Sequence, residues 1–381
     1  MTKRIFLIVF VATLFNSCSI TRSRILQKDQ PVNSLKFLGS YELPYNEQFN
    51  GTTIGGLSGI DYDPENRVYH LICDDRSNIN PARFYSAKIN FTQWGISNVQ
   101  FVNSTALLQR DGEYYPDSKK NPAHAADPEA MRYNPTTKQF IWASEGERII
   151  GKDTILSQPA LTIINKMGKY IDMLPLPFQT RMYATEKGLR QNSVFEGIAF
   201  ANNFKTMYVS IEEPLYEDGP RAGLQKSDAI TRIIKYDMAS RKPVAQYAYP
   251  LEAVAHAPIP INEFIVNGIT DILSIAENKL LVIERSYSTG KKASTIRVYS
   301  TDLSNASNIL NTESLIQNPP TNIALKKLLI NMDSLGIYID NIEGVTFGPE
   351  LPNGNKTLIF VSDNNFSKDQ KTQFILFEIV N

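Results

Sequence analysis

Polar residues, most of them carboxylates, recur at two fixed places in five stretches of this chain. One place holds Ser58, Glu129, Glu196, Thr270 with Asp271, and Glu343. The other holds Asp74, Glu145, Glu212, Glu284 and Asp363. The two places lie 16 residues apart in the first three stretches, 14 in the fourth and 20 in the fifth. Taken singly, each acid reads as a turn cap or a solvated strand end; the fivefold recurrence points to a site. Gathered acids repel, so something must offset their charge. Hard oxygen donors suit a divalent cation, Ca2+ ahead of Mg2+, and not zinc. The alternative is that some stay protonated, with raised pKa values suited to general acid catalysis. Arg76 and Arg285 follow the second place in their units, and each could neutralise an acid or grip a phosphoryl oxygen. His124 precedes Glu129 in Pro122-Ala123-His124-Ala125-Ala126-Asp127 and is a candidate for the same place. His70, inside an apolar run, reads as structural.

The elements that must position these residues are pairs of short strands. The first pair is Leu57 to Asp63 and Val68 to Asp74, joined by a turn rich in Asp, Pro and Asn. Gly59, Ala130, Gly197, Asp271 and Gly344 are equivalent, at intervals of 71, 67, 74 and 73 residues. A second pair usually follows: Arg83 to Ile89 with Ile96 to Val102, Leu161 to Asn165 with Tyr170 to Leu174, and Arg232 to Tyr236 with Val244 to Tyr249. Four antiparallel strands repeating at this period predict an all-β chain forming a single β-propeller. Five blades are counted, with six open because residues 303–340 have room for an atypical one. The preferred reading of Ile323 to Leu335 is a short amphipathic helix. The last unit has only three strands, so the N-terminal stretch Leu35 to Leu43 should close it. A hairpin sets the start of its first strand beside the end of its second, and first strands line a propeller's channel. Asp74, Glu129, Glu145, Glu196, Glu212, Glu284, Glu343 and Asp363 should then ring one mouth.

The chain has 381 residues with 39 basic and 39 acidic side chains, which argues against a nucleic-acid partner bound through a broad basic face. Two Cys and three His exclude a disulfide scaffold and a Cys/His zinc site. There is no Gly-x-Ser-x-Gly elbow, and Gly55-Gly56 lacks phosphate-loop spacing. Lys3 and Arg4 precede an apolar run of 11 residues, Ile5 to Phe15, followed by Asn16, Ser17 and Cys18. The run is too short to span a bilayer and resembles a bacterial lipoprotein signal. The expected organisation is a signal over 1–17, acylation of Cys18 to hold the chain on the bilayer, a polar tether over 18–34, and a propeller over 35–381. Export to the bacterial cell envelope follows, at the outer membrane or periplasmic face. Cys73 would be the one remaining thiol, buried and blunted by its acidic neighbours.

At these residues the chain resembles the phytase-like family, also described as "esterase-like activity of phytase". The likeness lies in Gly55-Gly56-Leu57-Ser58-Gly59-Ile60-Asp61-Tyr62-Asp63, Asp127-Pro128-Glu129-Ala130, Phe195-Glu196-Gly197-Ile198-Ala199 and Asn341-Ile342-Glu343-Gly344-Val345. The strand ends Ser144-Glu145-Gly146-Glu147, Ile211-Glu212-Glu213-Pro214 and Val361-Ser362-Asp363-Asn364-Asn365 belong to the same pattern. It covers about residues 50–380. The resemblance implies a propeller-like, acid-rich, exported domain with phosphodiesterase or phosphatase-like activity. Thr270-Asp271-Ile272 departs from the acidic-Gly pattern and puts the fourth unit's contribution in doubt. The expectation is therefore a metal-dependent hydrolase of small phosphate esters, acting as a monomer. Its catalytic carboxylates would be Glu196, Glu343 and Glu129. Its metal ligands would come from Glu129, Glu145, Glu196, Glu212, Glu343, Asp363 and Asp74, and its substrate contacts from Arg76, Arg285 and His124. Two rivals stand beside it: a calcium-dependent lactonase or esterase, and a non-catalytic propeller that binds a ligand.

Overall fold

The computed structural model describes residues 29–226 and 228–380. The export signal, Cys18 and most of the tether lie outside these residues. Among the described residues no helix is long and apolar enough to cross a membrane.

Five four-stranded antiparallel sheets form the described body, a five-bladed β-propeller. Blade 1 runs from the channel outward as Leu57–Asp63, Val68–Cys73, Arg83–Thr92 and Gly95–Ala106. Blade 2 is Pro128–Asn134, Gln139–Ser144, Ala160–Asn165 and Tyr170–Met173. Blade 3 is Phe195–Ala201, Thr206–Ile211, Ile230–Asp237 and Lys242–Pro250. Blade 4 is Ile265–Ala276, Lys279–Ser288, Thr295–Asp302 and Leu325–Asn331. Blade 5 takes Asn341–Gly348, Thr357–Asp363 and Gln373–Val380 from the end of the chain and Ser34–Glu42 from its beginning.

The inner strands are nearly continuous apolar runs because both faces are covered by neighbouring blades. An apolar cluster fills each of the five gaps between blades. Ile72, Phe84, Tyr133, Phe140 and Trp142 lie between blades 1 and 2, and Leu161, Phe195, Ile198 and Val209 between 2 and 3. Tyr249, Ile272 and Val282 lie between 3 and 4, Ile283, Val298, Ile342 and Phe360 between 4 and 5, and Leu57, Tyr85, Val361 and Phe374 between 5 and 1. Cys73 is fully buried, its thiol donating to the Gly55 carbonyl at 3.1 Å. Burial first, then Asp75 and Asp74, pushes that thiol far above its usual range.

Residues 303–324 add no sixth blade. They lie along the outer strand of blade 3, where Ile309 N–H donates to Gln246 O and Ala324 N–H to Ala248 O, both at 2.9 Å. The fully buried Arg232 holds this segment through Thr312 O at 3.0 Å while its Nε donates to Asp218 at 2.6 Å. The segment thus covers an otherwise bare sheet edge. The helix expected over Ile323 to Leu335 is instead the strand Leu325–Asn331 and a single 3-10 turn, Met332–Leu335. The edge of Thr295–Asp302 offers a ladder of hydrogen bonds that a lone turn of helix cannot match. Two members of the supposed apolar stripe, Leu325 and Leu328, end up exposed.

The closing strand pairs from Ser34 with Val380 to Glu42 with Gln373, as expected. The folded body begins before Leu35, since Gln30 N–H donates to Ile275 O and Val32 is buried. Removing residues 1–43 would bare the apolar edge of Gln373–Val380. Light scattering should then find oligomers where the full chain is monodisperse; a monodisperse truncated chain would show that closure is dispensable.

Candidate functional site

The innermost ladder of every blade is interrupted by a bulge near the start of its first strand. The unpaired residue is Ser58 in blade 1, Glu196 in blade 3, Thr270 in blade 4 and Glu343 in blade 5; in blade 2 it is the pair Glu129 and Ala130. A bulge frees its residue from the pleat and re-aims it, which is how a strand buried on both faces can turn an acid toward the mouth. The following glycine answers a packing demand. A Cβ on Gly344 would stand 2.9 Å from Ile60 N, and one on Gly197 2.7 Å from Ile272 N, both in the next blade.

The register also defines the second place. Cys73, Ser144, Ile211, Glu284 and Ser362 sit opposite Leu57, Pro128, Phe195, Ile269 and Ile342. The mouth-facing residues are the next ones along: Asp74, Glu145, Glu212, Arg285 and Asp363. Glu284 therefore does not join the ring, contrary to expectation. It is fully buried and accepts bonds from Tyr249 Oη at 2.8 Å, Asn267 Nδ2 at 2.8 Å, Glu252 N–H at 2.9 Å and the Lys326 ammonium. The cause is parity: a one-residue offset in a strand carries a side chain to the opposite face. Nor are Arg76 and Arg285 equivalent, since Arg285 is the counterpart of Asp74.

The other predicted acids do converge. Asp74, Asp127 and Glu129 bring one oxygen each within 4.8 Å of one another, and so do Glu145, Glu196 and Glu212. Asp363 and Glu343 complete the ring, and Asp74 feels both of them as well as Asp127 and Glu145. Burial, then mutual repulsion, holds Asp74, Glu129, Glu196 and Asp363 well above the usual carboxylate range. The same causes push Glu145 up to about 8. Glu212 rises to about 7 through burial, with Arg285 opposing, and Asp127 to about 6 through burial, with Arg76 opposing. Arg285 donates to Glu212 at 3.0 Å and to Glu343 and Asn341. Arg76 pairs with Asp127 at 3.3 Å and with Glu147. Asp127 and Glu147 join the site although the carboxylate repeat does not single them out; they stand within Asp127-Pro128-Glu129-Ala130 and Ser144-Glu145-Gly146-Glu147. His124 is exposed, bonds Asn121 at 3.0 Å and makes no hydrogen bond to the ring.

Below the mouth the channel is plugged. Arg132, from blade 2, donates to both Asp271 oxygens of blade 4 at 2.9 and 2.7 Å. It also bonds the carbonyls of Ile60, Ile272 and Val345 in blades 1, 4 and 5. Asp271 itself accepts from Val345 N–H and Ile272 N–H, both at 2.8 Å. The departure from glycine in the fourth repeat is thus half of a buried clamp, and Thr270 turns its hydroxyl to Ile342 O at 2.9 Å.

The donors at the mouth fit a hard cation. Asp127 is 3% exposed and Glu145 is 1% exposed, yet Asp127 Oδ2 and Glu145 Oε2 have no hydrogen-bond partner. A cleft of about 460 Å3 lies elsewhere, lined by Phe178, Tyr183, Lys187, Glu217 and Ile316 and by none of the ring.

The family model described as "Phytase-like: Esterase-like activity of phytase" matches residues 52–366. No curated protein matches the chain. Among solved structures, a glycosyl hydrolase from Bacteroides ovatus is similar at 10% identity and a TM-score of 0.42, covering 92% of this chain and 94% of that one. The periplasmic gluconolactonase of Pseudomonas aeruginosa is similar at 8% identity and a TM-score of 0.35, covering 87% and 88%.

Proposed function

This chain belongs to the phytase-like family, and from that premise we propose that it is a metal-dependent hydrolase of small phosphate esters. The observation that carries this reading is the convergence of the carboxylates on one mouth beside two arginines. A divalent cation, Ca2+ ahead of Mg2+, would supply charge neutralisation for the phosphoryl group. Its ligands would come from Asp74, Asp127, Glu129, Glu145 and Glu212, with Glu196 beside them. Asp363 stands at the ring's edge, its carboxylate taken by Asn365 N–H at 2.7 Å.

Glu196 suits the general base better than Glu343 or Glu129. Glu343 is committed to Arg285 and to Asn341 at 2.8 Å, and Glu129 lies in the other acidic group. Glu196 accepts no bond from an N–H among the described residues, and burial with the neighbouring Glu145, Glu212 and Glu343 raises its proton affinity, as a base requires. Arg285 and Arg76 would orient the anion. With few basic side chains at the mouth, a small mono- or diester fits better than a polyphosphorylated substrate. The export signal and Cys18 support a place in the bacterial envelope, anchored by acylation.

The test is a panel of phosphomonoesters, phosphodiesters and lactones, with the full chain in Ca2+ or Mg2+. Phosphoester turnover is expected, and Glu196→Gln should lower kcat at least about a hundredfold, the ordinary contribution of a general base. Turnover of lactones alone, or of nothing, would remove the proposal.

A further inference from the structure

Blade 4 differs from the others in how far its inner hairpin climbs past the ring. The pairs Leu57 with Cys73, Pro128 with Ser144 and Phe195 with Ile211 end the ladders of blades 1, 2 and 3, and blade 5 adds one pair beyond Ile342 with Ser362. Blade 4 adds four beyond Ile269 with Glu284, from Gly268 with Arg285 to Ile265 with Ser288. At the usual rise of a strand, that carries the hairpin roughly 13 Å above the ring.

Directly paired residues share a face of a sheet, and so do residues two apart on one strand. Arg285 with Gly268, and then Tyr287 with Val266, therefore lie on one face. At its foot, Arg285 bonds Glu212 and Glu343 of the ring. Gly268 keeps the foot open, since a Cβ there would stand 2.6 Å from Glu212 Cγ. Higher up stand Tyr287 and Phe264, their ring centres 6.3 Å apart. They are 36% and 56% exposed. The tip that carries them is tied down, with Thr289 N–H donating to Phe264 O at 3.0 Å and Ile259 N–H to Thr289 O at 2.8 Å. Exposed apolar surface of this kind beside a polar site marks a binding face.

We propose that Tyr287 and Phe264 form the wall against which the alcohol half of the ester lies, and that this half is aromatic. A phosphoryl group oriented by Arg285 sets its alcohol half beside the two rings, because guanidinium and wall share one face of one hairpin. Ring against ring gives apolar burial and offset stacking, which a small aliphatic alcohol cannot use. This rests on reading the mouth as a phosphoester site.

The test separates the wall from the reaction. Benzylphosphonate and ethylphosphonate cannot be hydrolysed as esters, and calorimetry of the full chain in Ca2+ compares them without turnover. The benzyl compound should bind roughly tenfold more tightly. A Phe264→Ser/Tyr287→Ser double variant should bring the two affinities together, and Tyr287→Phe should keep the preference. Benzyl and ethyl phosphate, whose alcohols leave with similar ease, should show the same ratio in kcat/KM, carried by KM. Both substituted residues are exposed, and circular dichroism establishes that each variant is folded. Equal affinity for the two phosphonates in the wild type, binding of neither, or an unchanged preference in the folded double variant would overturn the proposal. An unchanged preference with conversion of a dimer to a monomer would give the tip to a second copy of the chain and overturn it as well. A benzyl preference in binding without turnover of any phosphoester would sink the reaction and leave the wall standing.

Discussion

Stripped of metal, the protein is expected to become less stable as pH rises from about 5 to about 8, with Ca2+ abolishing the loss. The sign follows from proton counting. Glu145 and Glu212 titrate in the folded protein at about 8 and about 7, above the ordinary carboxylate range that they regain on unfolding. Across that window the native state binds more protons than the unfolded chain, so stability is greatest at the acid end. It is lost as pH climbs through the folded values. Each tenfold difference in proton affinity is worth about 1.4 kcal/mol. These two groups, with Asp127 raised to about 6, act in the same direction, so the loss is on the order of several kcal/mol. A cation replaces the protons and reverses the trend, by about 2.7 kcal/mol for each site held at a hundredfold excess over its Kd. Scanning calorimetry in chelator and in Ca2+ at several pH values checks this. A melting temperature in chelator that is flat or rising over the window would contradict it. Glu145→Gln should raise the melting temperature in chelator at about pH 8, since it removes a buried charge.

The channel clamp gives the second large effect. Arg132 and Asp271 are 3% and 1% exposed and bridge blade 2 to blade 4 across the axis. Removing one partner leaves a buried, uncompensated charge, which typically costs 3–5 kcal/mol. Arg132→Met should therefore lower the urea midpoint by an amount equivalent to about 4 kcal/mol. Asp271 stands where three other repeats have glycine, so Asp271→Gly returns blade 4 to the common pattern. In the double variant no charge is left unpaired, and at least half of the loss should be regained. An additive cycle, with the double variant as unstable as the two single losses summed, would show that the pair is not a coupled unit. Phosphoester turnover is not the readout here, because the clamp lies below the mouth.

The site was legible as far as its alphabet. Glu129, Glu196 and Glu343 could be placed because a bulge repeats at one sequence position, and Asp74, Glu145, Glu212 and Asp363 because a hairpin end does. Glu284 was misassigned because the count in blade 4 is one residue short. Only pairing with Ile265–Ala276 shows that Glu284 lies opposite Ile269, its side chain among Tyr249, Asn267 and Lys326. Asp127 was overlooked because it precedes its strand. It joins the group through the approach of Arg76 from blade 1.

The amino-acid sequence by itself determined that this chain is a ring of five or six blades closed by its own beginning, with acids gathered at one mouth. Those properties depend on local pattern: strand length, turn residues, apolar runs and a period near seventy residues. Tertiary structure decided which side chain of each adjacent pair faces the mouth. It also decided that blade 4 contributes a cation there, that Asp271 reaches Arg132, and that Leu325–Asn331 is an edge strand and not a helix. The reason is that facing and partnership depend on pairing between strands. A single residue of register reverses a side chain's face, and no local stretch of sequence carries that parity.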